Sequence, residues 1–228
     1  MASTDSAGTA GRRARVLIVD DHPIVTQGLA QLIGREPDLE VCACAADAVS
    51  ALGAIDALKP DVAIVDLSLG GTSGLGLLKD CKVRHPDLPI LVLSMHDESL
   101  YAERALRAGA KGYVMKKEPP ERVLAALRRV LGGAICLSDD MTSRLLHGCF
   151  DAGPAALGSP MDLLSDRELE VLELIGRGVG TQQIAGTLHL SPKTVETHRA
   201  HIKGKLQLKS GTELLLHAMK WVQNEGSR

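Results

Sequence analysis

Four aromatic side chains in 228 residues, one Trp, one Phe and two Tyr, are too few to fill a core. The interior must then come from Leu, Val, Ile and Ala, which suits helices packed on buried parallel strands. Long hydrophobic runs are missing too. Segments such as Val16 to Val19 and Ile90 to Leu93 are strand-sized, against the roughly 20 residues that a bilayer-spanning helix needs, so no membrane partner is expected. Residues 1–14 are small and polar without the apolar stretch of a secretory leader, and read as a disordered tail on a cytoplasmic protein. The five cysteines (Cys42, Cys44, Cys81, Cys136 and Cys149) contain no C-x-x-C pair and are odd in number. That excludes a disulfide framework and a zinc site, and leaves small reduced core residues. Net charge is slight, −2, so affinity for nucleic acid has to come from a local patch.

What is present is alternation. Apolar runs at Val16–Val19, Val41–Ala45, Val62–Val65, Ile90–Leu93 and Gly112–Met115 are each followed by a helical pattern: 24–33, 48–58, 75–83, 100–108 and 121–131. Right-handed crossovers between parallel strands leave few topologies for such a chain, and a flavodoxin-like, doubly wound α/β sheet is expected over residues 15–133. Residues 134–161 read as a linker with one short helix over 139–150 and a Gly/Pro/Ser-rich stretch behind it. Residues 162–228 carry no strand signal, only helical segments near 165–176, 181–188, 192–206 and 212–223, so the second domain is small and all-α.

In doubly wound sheets the chemistry sits just beyond the carboxyl ends of the strands. Here those positions hold Asp20 and Asp21, Asp66, Ser94 and Lys116, which gathers three carboxylates, a hydroxyl and an ammonium on one rim. Clustered carboxylates repel, and a hard cation such as Mg²⁺ relieves that repulsion. A carboxylate held between that cation and a lysine suits attack on phosphorus, and central Asp66 is the candidate nucleophile. A single Asp at a strand end is usually a cap or turn residue; coincidence at four strand ends favours a site.

In the helical part, Ser165-Asp-Arg-Glu168 is a capping box before a helix with Leu169, Val171, Leu172 and Ile175 on its buried side, ended by Gly176 and Gly178. Thr181 is expected to cap a second helix with Ile184, Ala185 and Leu188, and Ser191-Pro192 opens a third. Two short helices so joined make a helix-turn-helix whose second member enters the major groove of double-stranded DNA. On that member Val195, Ile202 and Leu206 form the apolar stripe, while Lys193, Thr194, Glu196, Thr197, Arg199, Ala200 and Lys203 lie on the other face, with Lys205 and Lys209 following. From Lys193 to Lys209, five basic residues stand against one acid, a net of +4 and the footprint phosphate contacts require. The last helix, with Leu214, Leu215, Ala218, Met219 and Val222, offers more apolar surface than a three-helix core needs.

The segments Val19-Asp-Asp-His-Pro23, Val65-Asp-Leu67, Leu93-Ser-Met-His96 and Gly109–Lys116 resemble receiver domains of two-component response regulators. The stretch Leu163–Met219, with Leu164–Glu168, Ser191-Pro-Lys-Thr-Val195, His198, Ile202 and Lys205-Leu206, resembles the LuxR-type DNA-binding domain, and the combination resembles the NarL/FixJ family. The resemblance implies that Asp20, Asp21 and Asp66 hold Mg²⁺ with the backbone carbonyl of Ser68. It further implies that Asp66 takes a phosphoryl group from a sensor histidine kinase, that Lys116 and Ser94 contact it, and that Ser94 and Tyr113 switch together. It makes the chain a non-enzymatic transcription regulator, dimeric on DNA through Leu214, Leu215, Ala218 and Met219, with RNA polymerase as a further partner. The sequence departs from the family pattern in the loop 69–73, which lacks Met-Pro-Gly, and in Lys117, where proline is usual. Ala200 stands where a longer side chain would read a base, and suits a thymine methyl.

Two other readings remain. The receiver would serve as a phosphorylation-independent dimerisation module, which the unusual loop permits, or the rim would belong to a Mg²⁺-dependent phosphohydrolase. The latter needs a second acid two residues after the nucleophile, where this chain has Ser68. Met95 and His96 read as a packing methionine and a loop histidine near the phosphate entrance, Tyr113 as a core aromatic or a rotamer switch, and His198 and His201 as packing or phosphate contacts.

Overall fold

The computed structural model describes residues 12–69, 72–151 and 160–226. Five parallel strands in the order β2-β1-β3-β6-β7 form the sheet: β1 (Ala14–Val19), β2 (Leu39–Ala45), β3 (Val62–Val65), β6 (Ile90–Ser94) and β7 (Gly112–Met115). Strand alternation sorts their side chains onto two faces. Val16, Ile18, Ile64, Leu91 and Val114 point into one core, closed by α1 (Pro23–Gly34) and α5 (Pro120–Leu131). Leu17, Val19, Val65 and Val92 point into the other, closed by α2 (Ala48–Leu58), α3 (Gly74–Arg84) and α4 (Glu98–Ala108). This is the doubly wound architecture expected from the alternation.

Several details differ from the sequence reading. A hairpin of β4 (Ser68–Leu69) and β5 (Thr72–Ser73) follows β3; its turn lies outside the described residues. The first strand begins at Ala14, inside the expected tail, and Arg12 pairs with Asp61 at 3.0 Å; residues 1–11 are outside the described set. Cys81 and Cys136 are buried as expected, but Cys44 is exposed on edge strand β2 and Cys42 is half-buried; the side chain of Cys149 is not among those described. Burial pushes the Cys81 thiol up to about 11, which keeps it protonated and inert.

Helix α6 (Asp139–Asp151) and a short 3₁₀ turn (Pro160–Leu163) flank the linker, whose residues 152–159 are outside the described set. Then come α7 (Asp166–Gly176), α8 (Thr181–Thr187), α9 (Pro192–Lys205) and α10 (Gly211–Gly226). The Ser165/Glu168 capping box forms as read, and Ser191 caps α9 by accepting from the Thr194 amide. Thr181 does not cap α8: Gly180 occupies that position, and the Thr181 hydroxyl donates to Glu196 at 2.8 Å while accepting from Arg199 at 3.0 Å. At Gly176, an added Cβ would meet the carbonyl oxygen of Ala218 at 2.5 Å, so glycine is what lets α10 lie against α7. Among the described residues no helix is long and apolar enough to cross a membrane.

Candidate functional site

Backbone hydrogen bonds run one step past the strands and fix the rim. The Asp66 amide donates to Val19 at 2.9 Å, the Asp20 amide to Ala45 at 3.0 Å and the Lys116 amide to Ser94 at 2.8 Å. Val19 and Val65 are register partners, so Asp20 and Asp66 stand side by side. The Lys116 Nζ reaches both, at 2.6 Å from Asp20 Oδ2 and 2.6 Å from Asp66 Oδ2, with all three side chains buried. Burial opposes the lysine charge, but the Asp66 and Asp20 carboxylates outweigh it and hold the ammonium above its ordinary pKa. One cation therefore serves two carboxylates, and Asp66 Oδ1 remains buried with no hydrogen-bond partner.

That orphaned oxygen faces a ligand set suited to a hard cation. Asp20, Asp21, His22 and Asp66 each offer one ligand atom, all within 4.8 Å of one another. The carboxylates fit a divalent ion such as Mg²⁺. His22, which the sequence reading did not select, lies 2.8 Å from Asp21 Oδ1 and 3.2 Å from Asp20 Oδ1; its only sequence signal is the Asp-Asp-His-Pro run. A second missed residue is Gly74. A Cβ there would fall 2.2 Å from the Asp66 carbonyl oxygen, so only glycine allows α3 to start against the backbone of Asp66.

The loop after β6 connects the rim to the rest of the molecule. Ser94 is fully buried and its Oγ accepts from the His96 amide at 3.3 Å. The Tyr113 hydroxyl donates to the His96 carbonyl at 3.0 Å, and burial, chiefly, keeps that phenol protonated well above its ordinary pKa. Tyr113 is thus a core aromatic with its polar end at the loop after β6. His96 is more than a loop histidine: its Nε2 is 3.0 Å from Ser68 Oγ, and its Nδ1 is 2.9 Å from Glu173 Oε2 of α7. Met95, read as a packing residue, is instead 68% exposed.

Helix α7 is consequently covered on two sides. Leu169, Leu172 and Ile175 face the helical core as expected, but Glu170 and Glu173, on what should be a solvent face, are buried as well. Lys79 of α3 bonds Asp166 at 2.8 Å, and Arg104 of α4 donates to the carbonyls of Leu164 (3.1 Å) and Met161. Arg167 within α7 and Arg177 at its C-cap compensate the buried acids, at 2.6 Å from Glu170 and 2.5 Å from Glu173.

The recognition face of α9 stays open: Lys193, Glu196, Thr197 and Ala200 are exposed, and so is Lys209 beyond it. Other side chains expected at DNA are engaged within the domain. Thr194 bonds Ser191 at 2.7 Å, half-buried Arg199 bonds Thr181, and Lys205 is 2.6 Å from Glu168; Lys203 is half-buried. His198 is half-buried and burial lowers its pKa, which fits packing; His201 is exposed, 3.6 Å from Glu168. The expected dimer set also divides. Leu214 and Ala218 are buried in the domain's own core and are not available to a partner, whereas Leu215, Met219 and the unselected Leu216 are exposed.

A metal-ready acidic rim on a doubly wound sheet, followed by a helix-turn-helix, is the build of a two-component response regulator that binds DNA. Known proteins agree with the geometry. The family described as the response regulator receiver domain matches residues 16–128, and that of bacterial regulatory proteins of the luxR family matches residues 162–218. The chain belongs to the NarL/FixJ family of response regulators, which are transcription regulators. It is 40% identical over 210 residues to the oxygen regulatory protein NreC of Staphylococcus aureus, covering 90% of this chain and 97% of that protein. Among solved structures it resembles the Salmonella typhimurium response regulator RcsB, at 27% identity and a TM-score of 0.62 over 92% of this chain and 98% of the other. It also resembles a Salmonella enterica RcsB bound to promoter DNA in the presence of the phosphomimetic BeF3⁻, at 27% identity and a TM-score of 0.58 over 91% and 99%.

Proposed function

We propose that Asp66 is the phosphoacceptor of a receiver domain spanning 15–133, joined through a linker at 134–161 to a DNA-binding domain at 162–228, in a cytoplasmic regulator. The carrying observation is the Lys116 ammonium at 2.6 Å from both Asp66 and Asp20 while Asp66 Oδ1 is buried and unpartnered. That oxygen is the nucleophile. It attacks the phosphorus of a phosphohistidine on the sensor kinase; the O–P bond forms as the P–N bond breaks, and the imidazole leaves with the electron pair. Asp20, Asp21, Asp66 and the backbone carbonyl of Ser68 would hold Mg²⁺, which would supply neutralisation of the phosphoryl oxygens. Lys116 neutralises a further oxygen, and the Ser94 hydroxyl turns to donate to another.

Phosphorylation adds about −1.5 to −2 charges at the rim. Turning Ser94 withdraws it from the His96 amide, and Tyr113 follows the loop. Undocking of α7 then frees the DNA-binding domain. Because the α9 face is already open in the docked state, control does not work by masking the recognition helix. Docking instead fixes where that helix points. Release lets two domains pair through Leu215 and Met219 across a two-fold axis and read half-sites roughly one helical turn apart on double-stranded DNA. Lys193, Thr197, Ala200 and Lys209 are the open contacts, with RNA polymerase as a downstream partner. Gel shift of the full chain with and without acetyl phosphate and Mg²⁺ tests this: phosphorylation tightens binding, and Asp66→Asn removes the response. Equal affinity and equal oligomer size in both states overturn it.

A further inference from the structure

We infer that His96 is the positioning residue that carries the state of the Asp66 pocket to the DNA-binding domain, pairing with Glu173 only while the pocket's side chains hold it. This deepens the reading of Asp66 as phosphoacceptor and rests on it.

Within the receiver, three hydrogen-bond partners and one ring hold His96. Ser94 Oγ accepts from its amide at 3.3 Å, the Tyr113 hydroxyl donates to its carbonyl at 3.0 Å, and Ser68 Oγ lies 3.0 Å from its Nε2. The ring is seated on the fully buried Tyr101, centroids 4.5 Å apart. Its remaining nitrogen, Nδ1, reaches out of the receiver to Glu173 at 2.9 Å. One imidazole thus spans from the residue two positions past Asp66 to the helix that anchors the helix-turn-helix. Burial disfavours the charges of His96 and Glu173, but each partner outweighs it for the other, so the His96 pKa rises and that of Glu173 falls.

Turning the Ser94 hydroxyl to a phosphoryl oxygen removes the hold on the His96 amide. If the ring then shifts, Glu173, whose side chain is 2% exposed and which sits on a face with buried Glu170, loses the imidazole while Arg177 stays at 2.5 Å. Stranding one member of a buried ion pair is strongly unfavourable, and undocking relieves it by returning Glu173 to water. The coupling is reciprocal: whatever loosens the His96–Glu173 pair tightens the pocket's hold on a phosphoryl mimic by the same factor.

The single tryptophan, Trp221, lines the cavity between α4, α6 and α10 with Arg104 and Met141, so its emission reports docking. The test titrates the full chain with beryllofluoride in the presence of Mg²⁺, following Trp221. In the wild type, emission shifts to the red as the domains part. Glu173→Gln, remote from the pocket, lowers the beryllofluoride midpoint about tenfold, a typical size for coupling between sites. His96→Gln, on the opposite side of the interface, behaves likewise and carries the test should Glu173→Gln fail to fold. The double variant gains no more than either single one, because both remove one interaction. Wild-type midpoints in both single variants, or a further tenfold gain in the double, overturn the latch alone. A wild type that does not respond to beryllofluoride overturns the phosphoacceptor reading and the latch with it.

Discussion

Lys116 and Lys205 each hold a carboxylate that burial alone would not tolerate. Removing the first by Lys116→Met leaves Asp20 and Asp66 adjacent and buried without the ammonium that holds both. Breaking such an arrangement costs about 3 kcal/mol. Denaturant melts in chelator should show that loss, and Mg²⁺ should recover a large part of it, because the same oxygens then find another cation. Equal stability with and without Mg²⁺ in the variant counts against a cation site on the rim. At Glu168, burial raises the carboxyl pKa, but Lys205 and the Ser165 cap outweigh it and the net direction is down. A lowered folded-state pKa means stability present above the ordinary glutamate pKa and lost as pH falls through the folded value. Melts below about pH 4.5 should therefore show a steeper acid loss in the wild type than in Lys205→Met, where the pair is already gone.

The elements were written in the sequence more clearly than their partners were. Continuous apolar runs, the mark of parallel strands buried on both faces, located the five strands of the main sheet, and the 3.6 period located the α-helices; Asp20, Asp66, Ser94 and Lys116 followed as the residues next after the strands or at their ends. The hairpin after β3 escaped because two-residue strands leave no period to read. Gly180 escaped as the α8 cap because glycine has no side-chain signal. The burial of Glu170 and Glu173 escaped for a different reason: α7 is amphipathic as a helix, and only the second domain turns its polar face into an interface. Leu214 and Ala218 were assigned to a partner because a helix's apolar positions do not say which of two cores they serve. The close α7–α10 contact gives an element-scale test. Gly176→Ala drives a methyl to 2.5 Å from a backbone oxygen and should cost about 1–3 kcal/mol in chemical denaturation. A neutral outcome would show that α10 is free to move away. On α9, Lys193→Ala should weaken DNA binding across sequences and flatten the salt dependence by about 0.9 in the log–log slope, the signature of one lost phosphate contact.

At the scale of the whole molecule, an acidic rim and a basic helix lie in separate domains, and a seam of largely buried His96 and Arg104, with exposed Lys79 at its edge, against Asp166, Glu173 and the carbonyls before α7 joins them. The seam leaves the recognition face open, so in the proposed mechanism charge placed at Asp66 governs DNA binding by freeing the domain to pair and not by uncovering it. The most direct measurement is the affinity of the full chain for its operator with and without acetyl phosphate and Mg²⁺, in the wild type and in Asp66→Asn. A marked gain on phosphorylation in the wild type, accompanied by dimer formation and absent from Asp66→Asn, is expected. Identical affinity and size in all four conditions would contradict control of DNA binding by a phosphoryl group on Asp66.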